Sequence, residues 1–186
     1  ILPIVSEPTY KTITAVARQL KANAASVQTE LGGGAFGHLA VVMSPAVYTT
    51  LSNTPFVLPT NPGYAADLPM FPTADQIAHL QATHKEQLRL WNEYLTIDRA
   101  LKQQLTGAIE PKYIASLRNR LTGYSTLTTR NIMEHLLHTY GRILPSEIVR
   151  NDTNFRKEYD ANEPIEMLYE QIEDAMQLAA DAEAPY

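Results

Sequence analysis

Apolar residues recur at helical spacing along most of the chain, beginning close to its first residues. Ser6 can cap a helix and Pro8 can occupy its first turn without losing a hydrogen bond, and apolar positions then continue from Ile13 to Val27. A second, shorter helix is predicted from Pro45 to about Leu51. Between the two helices, the apolar run 38–43 fits either a strand or a short buried helix.

The longest helix is predicted to begin at Thr73-Ala74-Asp75-Gln76, a sequence typical of a capping box. One side of this helix follows near-heptad spacing through Ile77, Leu80, His84, Leu88, Trp91, Leu95 and Asp98. Additional apolar residues widen the stripe, namely Leu90, Tyr94, Ile97 and Leu101. A stripe of this width indicates a core helix rather than a free coiled coil, and Gly107 weakens the pattern at its end.

Four further helices are predicted in the remainder of the chain, beginning near Pro111, at Thr128 or Thr129, near Pro145 and after Pro164. The total is about seven helices with at most one short strand, which predicts an all-α multi-helix bundle. Gly107, Gly123 and Gly141 end three consecutive helices. The pattern therefore indicates a division of the bundle near Gly107.

A proline-rich segment, residues 52–72, is predicted to be long and irregular. Its prolines are Pro55, Pro59, Pro62, Pro69 and Pro72. The segment is nevertheless apolar, with Phe56, Val57, Leu58, Leu68, Met70 and Phe71. We expect it to lie against the helical core, because this composition is unusual for a free linker.

Composition limits the possible functions. The chain has 186 residues, which suits one or two domains, and it has no cysteine, which excludes disulfides, thiol nucleophiles and thiolate-bound metals. The net charge is −5 with scattered basic residues, so nucleic acid is not the expected partner of this segment. No apolar run approaches ~20 residues and residues 1–5 do not resemble a signal peptide, so we expect a cytoplasmic protein without a membrane partner. The first residue, Ile1, suggests a piece of a longer protein.

Residues 32–37 formally match the G-x-G-x-x-G pattern of dinucleotide-binding folds. That pattern binds phosphate when it follows a strand and opens a helix, but here a polar helical stretch, KANAASVQTE, precedes it. A flexible or closely packed turn is the better interpretation. No Lys-Ser or Lys-Thr follows a glycine loop, so the Walker pattern is absent.

Histidines offer few chemical possibilities. His135 and His138 lie three residues apart beside Glu134, but the H-E-x-x-H spacing of zinc proteases is not met, and a half-exposed helix surface is favoured. His79 and His84 are five residues apart and do not share a helix face well. His38 follows the glycines and has no recognisable acid or nucleophile partner.

Carboxylates are concentrated near the end of the chain, at Glu163, Glu166, Glu170, Glu173 and Asp174. Their spacings of three and four residues are typical of a solvated acidic helix face, which is a better explanation than acid–base catalysis. The sequence therefore assigns no catalytic, cofactor-binding or metal-ligating residues and no cofactor, and we expect that the protein is not an enzyme.

Several strings together resemble the Gag-like proteins of Copia-type LTR retrotransposons. They are GGGAFGHLAVVMSPAVYTTLSNTPFVLPTNPG (32–63), the W-x₂-Y helix around Trp91 and Tyr94, IEPKYIASLRNRLTGYSTLTTRNIMEHLLHTYGRI (109–143) and NEPIEMLYEQIEDAMQLAADAEAP (162–185). The resemblance covers most of the chain, but its strings are not catalytic signatures. It points to packing positions, namely Trp91, Leu136, Tyr140 and Gly141.

The resemblance implies a capsid protein with two small helical domains, at residues 1–108 and 109–186. Such a protein associates with itself and forms a shell around element RNA. The chain lacks the Cys-x₂-Cys-x₄-His-x₄-Cys knuckle and the basic tail of a complete Gag, so RNA would be bound only by a segment outside this chain. Two alternatives stay open. One is a domesticated helical module that binds a protein or peptide, with residues 52–72 forming a groove wall or a bound arm. The other is a small helical enzyme or metal protein centred on His135 and His138.

Overall fold

The computed structural model describes residues 1–65 and 70–182, and within these ranges the chain is helical and forms no strand. The α-helices are α1 (Tyr10–Ala25), α2 (Pro45–Leu51), α3 (Ala74–Ala108), α4 (Thr129–Tyr140), α5 (Pro145–Phe155) and α6 (Ile165–Asp181). Short 3₁₀ helices span Leu31–Gly33, Leu39–Val41 and Pro111–Leu117. The all-α prediction is confirmed. No helix in the described ranges combines the length and apolar character that a membrane span requires.

Local capping explains where the helices begin. Thr73 caps α3 and exchanges hydrogen bonds with Gln76, which confirms the predicted capping box. The predicted start of α1 is wrong, because Thr9 rather than Ser6 caps this helix. Thr9 and Thr12 satisfy each other's backbone N–H groups, so the helix begins after Pro8 and not before it.

Two segments form tighter helices than the apolar pattern indicated. Residues 38–43 form neither a strand nor an α-helix but contain the 3₁₀ turn Leu39–Val41. The predicted helix after Glu110 is the 3₁₀ helix Pro111–Leu117, which stops where Arg118 adopts an extended backbone conformation with ψ 116°. The chain then reverses through an isolated antiparallel bridge between Asn119 and Gly123.

The hydrophobic core combines residues from α1, α3, α4 and the 3₁₀ helix Pro111–Leu117. Its most deeply buried apolar side chains are Ile13, Leu20, Leu105, Ile114, Ile132 and Leu136. The amino-terminal segment joins it, because Ile4 is buried and its N–H donates to the Ala108 carbonyl at 2.7 Å. On α3 the buried positions start only at Asp98, so the predicted core helix is core-facing mainly in its last third.

The chain divides into two compact units, Ile1–Gly141 and Arg142–Tyr186. The division therefore falls after Gly141 and not after residue 108, where the glycine pattern had placed it. The reason is packing: Ile114, Ile132 and Leu136 belong to the same buried cluster as Ile13 and Leu105. The second unit consists of α5 and α6, joined by a bond from Asn151 Nδ2 to the Ala175 carbonyl at 2.9 Å.

The proline-rich segment contacts the core less than its composition suggested. Phe56 does pack against the core, and its ring lies edge-on to Tyr48 with the ring centroids 5.8 Å apart. Val57, Met70 and Phe71, however, are largely exposed, so most of the expected contact is not formed. Leu68 lies outside the described residues. Frequent prolines remove backbone donors, and one aromatic side chain is enough to attach such a segment.

Candidate functional site

The glycine-rich loop, residues 32–37, is tightly packed. A β-carbon on Gly32 would lie 2.6 Å from the Tyr48 hydroxyl oxygen, and one on Gly37 would lie 2.4 Å from the Val27 carbonyl oxygen. Both glycines have positive φ, 61° and 50°. No strand precedes the loop among the described residues, and a 3₁₀ turn rather than an α-helix follows it. The geometry therefore matches the closely packed turn rather than the phosphate-binding arrangement.

The loop places His38 in a completely buried position beside α3. Its backbone N–H donates to the Ala24 carbonyl at 2.9 Å, and its ring nitrogen Nε2 lies 3.1 Å from Glu93 Oε1. The expectation that His38 has no acid partner is therefore wrong. The contact is close enough for an ion pair, but it is poorly directed for a hydrogen bond, and Nδ1 has no partner among the described residues.

Glu93 connects the buried imidazole to a surface network. It accepts a hydrogen bond from the Thr29 hydroxyl at 2.6 Å and pairs with Arg89 at 2.9 Å. Arg89 also bridges to Glu30 and Glu86. These contacts attach the segment that follows α1 to the middle of α3. Because the network ends at an enclosed imidazole, it explains how the loop is held rather than how a substrate would react.

Burial lowers the pKa of His38, and Glu93 offsets only part of that shift. A histidine with a lowered pKa in the folded state takes up its proton more readily when unfolded. Above the ordinary histidine pKa of about 6.5, we expect His38 to leave the free energy of unfolding of the first unit unchanged. As pH falls below that value, His38 should lower this free energy. The measurement is the free energy of unfolding, obtained by denaturant titration at intervals of ~0.5 pH units from about pH 7.5 to about pH 5.

Two variants separate His38 from the other titrating groups. His38→Gln should lose part of the pH dependence, whereas His79→Asn, at an exposed position on α3, should retain all of it. An imidazole resonance of His38 that titrates at or above the ordinary histidine range in the intact protein would contradict this prediction.

A second buried polar cluster joins α3 to the start of α4. Asp98 and Lys102 are buried with 3.5 Å between the Lys102 Nζ and the Asp98 Oδ2, and the Lys102 Nζ also donates to the Leu127 carbonyl. The Thr129 N–H donates to Asp98 Oδ1 at 2.9 Å, and the Thr129 hydroxyl donates to the Asp98 carbonyl at 3.0 Å. Sequence reasoning missed this cluster. The available signal was Asp98 itself, a carboxylate in the apolar stripe of α3.

His135 and His138 lie on the partly exposed surface of α4. His135 is half-buried, with Nε2 3.4 Å from the Ser116 hydroxyl and Nδ1 3.5 Å from the Thr139 hydroxyl, while His138 is exposed. Within the described ranges no group of three or more His, Cys, Asp or Glu side chains is placed to hold a metal ion. The half-exposed helix surface predicted for this pair is confirmed.

The acidic residues of α6 are exposed, as predicted, and some of them also line a groove of about 360 Å³ in the second unit. We call it the acidic groove. Its carboxylates are Glu158, Asp160, Glu163, Glu170 and Asp174, and its basic residue is Lys157. Met167 and Leu168 contribute apolar surface. The sequence predicted an acidic face but not a concave surface, because the groove needs the loop after α5.

Eight large apolar side chains are exposed in the described part of the second unit. They are Leu144, Val149, Phe155, Tyr159, Ile165, Met167, Tyr169 and Met176, and the exposed fraction of Val149 reaches 68%. A unit made of two helices cannot enclose apolar side chains on all of its faces. Apolar side chains on α5 and α6 therefore stay exposed within this unit.

Comparisons with protein-family models, curated proteins and solved structures give no match to this chain.

Proposed function

We propose that this chain is a structural protein that assembles with copies of itself into a capsid-like shell in the cytoplasm. This function is the one that the resemblance to the Gag-like proteins of Copia-type retrotransposons implies. Element RNA would then be held by a segment outside this sequence. In this proposal the chain acts through contact surfaces, and no residue serves as a catalyst.

The observation that carries the proposal is the exposed apolar surface of the second unit. Val149, Met167 and Tyr169 are each at least half exposed. Single exposed apolar residues are common, but several of them on a unit of only two helices favour a surface that a partner covers. Repeated weak contacts between identical copies supply such a cover and build large assemblies by symmetry.

The test is light scattering with negative-stain electron microscopy on the purified chain, over a concentration series at low and at ~1 M salt. We expect oligomers that grow with protein concentration. Copies with a net charge of −5 repel one another, and at ~1 M salt the screening length falls to ~3 Å, so larger assemblies are expected there. Rings, tubes or shells are the expected products.

A monodisperse monomer or dimer under every condition would contradict the proposal. The second candidate, a domesticated binding module for a protein or peptide, would then account for the chain better, and the acidic groove of the second unit is the observation that favours it.

A further inference from the structure

The turn after the 3₁₀ helix Pro111–Leu117 presents two arginines on a well-defined backbone. Asn119 and Gly123 exchange backbone hydrogen bonds of 2.9 and 3.0 Å. The Asn119 side chain also accepts from the backbone N–H groups of Leu121 and Thr122, at 2.8 and 3.1 Å. We call residues 118–122 the arginine tip. Because its backbone is already hydrogen-bonded, little ordering is needed when it meets a partner.

The side chains of the arginine tip are exposed. Arg118 and Arg120 both face solvent, and neither forms an ion pair within the described residues. Leu121 is 93% exposed between these charges and the turn glycine. The tip thus combines two positive charges with one apolar side chain, a combination that is complementary to a negative surface with an apolar part.

The acidic groove offers that surface. Its carboxylates outnumber its basic residue by four, since it has five acidic residues and one lysine. Met167 and Leu168 supply the apolar part. The loop at its edge is held in shape, because Asp160 accepts hydrogen bonds from the Asn162 backbone and side chain at 2.9 and 2.8 Å. The Tyr159 hydroxyl donates to the Glu163 carbonyl.

The two surfaces belong to one chain but to different compact units. A contact between the tip of one copy and the groove of another would leave one free tip and one free groove in every pair. Contacts of this head-to-tail type continue into rings or open chains, whereas a symmetric contact stops at two copies. A contact of this type can therefore add further copies to an assembly at low salt.

We infer that the arginine tip of one copy docks in the acidic groove of a second copy. Arg118 and Arg120 face the carboxylates of the groove, and Leu121 contacts Met167 and Leu168. This inference rests on the proposed self-assembly and names a pair of surfaces for it. Salt weakens this particular attraction, although it also reduces the general repulsion between acidic copies, so the test is made at a fixed ~0.1 M salt.

The experiment uses two variants of the full chain that each remove one surface. The tip variant is Arg118→Gln with Arg120→Gln, and the groove variant is Glu158→Gln, Glu163→Gln and Glu170→Gln. All these positions are exposed, so the helical circular dichroism and the melting temperature should match the unaltered chain. Sedimentation velocity over a concentration series gives the association constant of each variant alone and of an equimolar mixture.

We expect the association constant of each variant alone to be at least about tenfold lower than that of the unaltered chain. The mixture should recover one contact, between the groove of the tip variant and the tip of the groove variant. It should therefore form a pair of one copy each and grow no further. The control is Lys11→Gln with Lys21→Gln, which removes two exposed positive charges from α1 and should leave association unchanged.

Three outcomes would overturn the inference. The variants could associate as strongly as the unaltered chain, the mixture could fail to pair, or the lysine control could weaken association as much as the tip variant does. In each case assembly of the unaltered chain would leave the proposed function in place and remove only this contact. An unaltered chain that stays monomeric at every concentration would remove both.

Discussion

Replacing Asp98 with alanine is expected to reduce the free energy of unfolding of the first unit by ~3–5 kcal/mol, which is the usual cost of removing one partner of a buried ion pair. The loss has two causes. The ammonium group of Lys102 stays buried without its carboxylate, and the Thr129 N–H at the start of α4 loses its acceptor. Denaturant unfolding followed by circular dichroism measures the change.

Companion variants identify which cause dominates. Asp98→Asn keeps an acceptor for Thr129 but removes the charge, so its loss should fall between those of the unaltered chain and Asp98→Ala. Lys102→Met leaves the Asp98 carboxylate buried without its cation. The double replacement Asp98→Leu with Lys102→Met removes both charges, so we expect it to be less destabilising than Asp98→Ala. A loss below ~1 kcal/mol for Asp98→Ala would show that the cluster is not an important link between the two helices.

The sequence predicts the helices well because their signals are local. Capping boxes act over three residues, as at Thr73 and Thr128, and the structure places both residues at helix starts. The start of α1 is one exception, and the 3₁₀ helix Pro111–Leu117 is another. Its apolar spacing was helical, yet Arg118 leaves the helical region and the turn at Asn119 follows at once. Helix type and exact ends depend on such neighbouring bonds.

Tertiary relations could not be read from the chain in the same way. The pairing of His38 with Glu93 joins residues on different elements, and nothing near either residue indicates the other. The division after Gly141 depends on α4 packing in the core of α1 and α3. A glycine marks where a helix can end, but only the buried cluster decides which helices share a core.

The candidate surfaces were predicted in part. Spacing along α6 gave the exposed carboxylates, since residues three and four apart share a helix face. The acidic groove needs residues 157–160 beside that face, and the arginine tip needs the Asn119 turn to present its side chains. Both features arise where a loop meets a helix, so periodicity alone does not reveal them.

Replacing Gly37 with alanine is expected to destabilise the first unit by ~2–5 kcal/mol, which combines a left-handed backbone with overpacking. Gly37 has φ 50°, and a β-carbon there would lie 2.4 Å from the Val27 carbonyl oxygen and 2.5 Å from that of Ala25. Both obstacles are backbone atoms, which cannot rotate away as a side chain can. The change would also displace His38, whose backbone N–H donates to the Ala24 carbonyl.

Two other glycines serve as matched controls because each isolates one factor. Gly63 has φ 68° but nothing within 4 Å of an added β-carbon, so Gly63→Ala should cost only the ~1–2 kcal/mol of the left-handed backbone. Gly107 lies in the last turn of α3 with open space around it, so Gly107→Ala should stabilise the chain by less than the ~0.5–1 kcal/mol expected in the middle of a helix. Denaturant unfolding should show the largest loss of stability for Gly37→Ala, a smaller loss for Gly63→Ala and a small gain for Gly107→Ala. Equal losses for Gly37→Ala and Gly63→Ala would mean that the loop yields to the added atom, and the glycine-rich loop would then be flexible rather than closely packed.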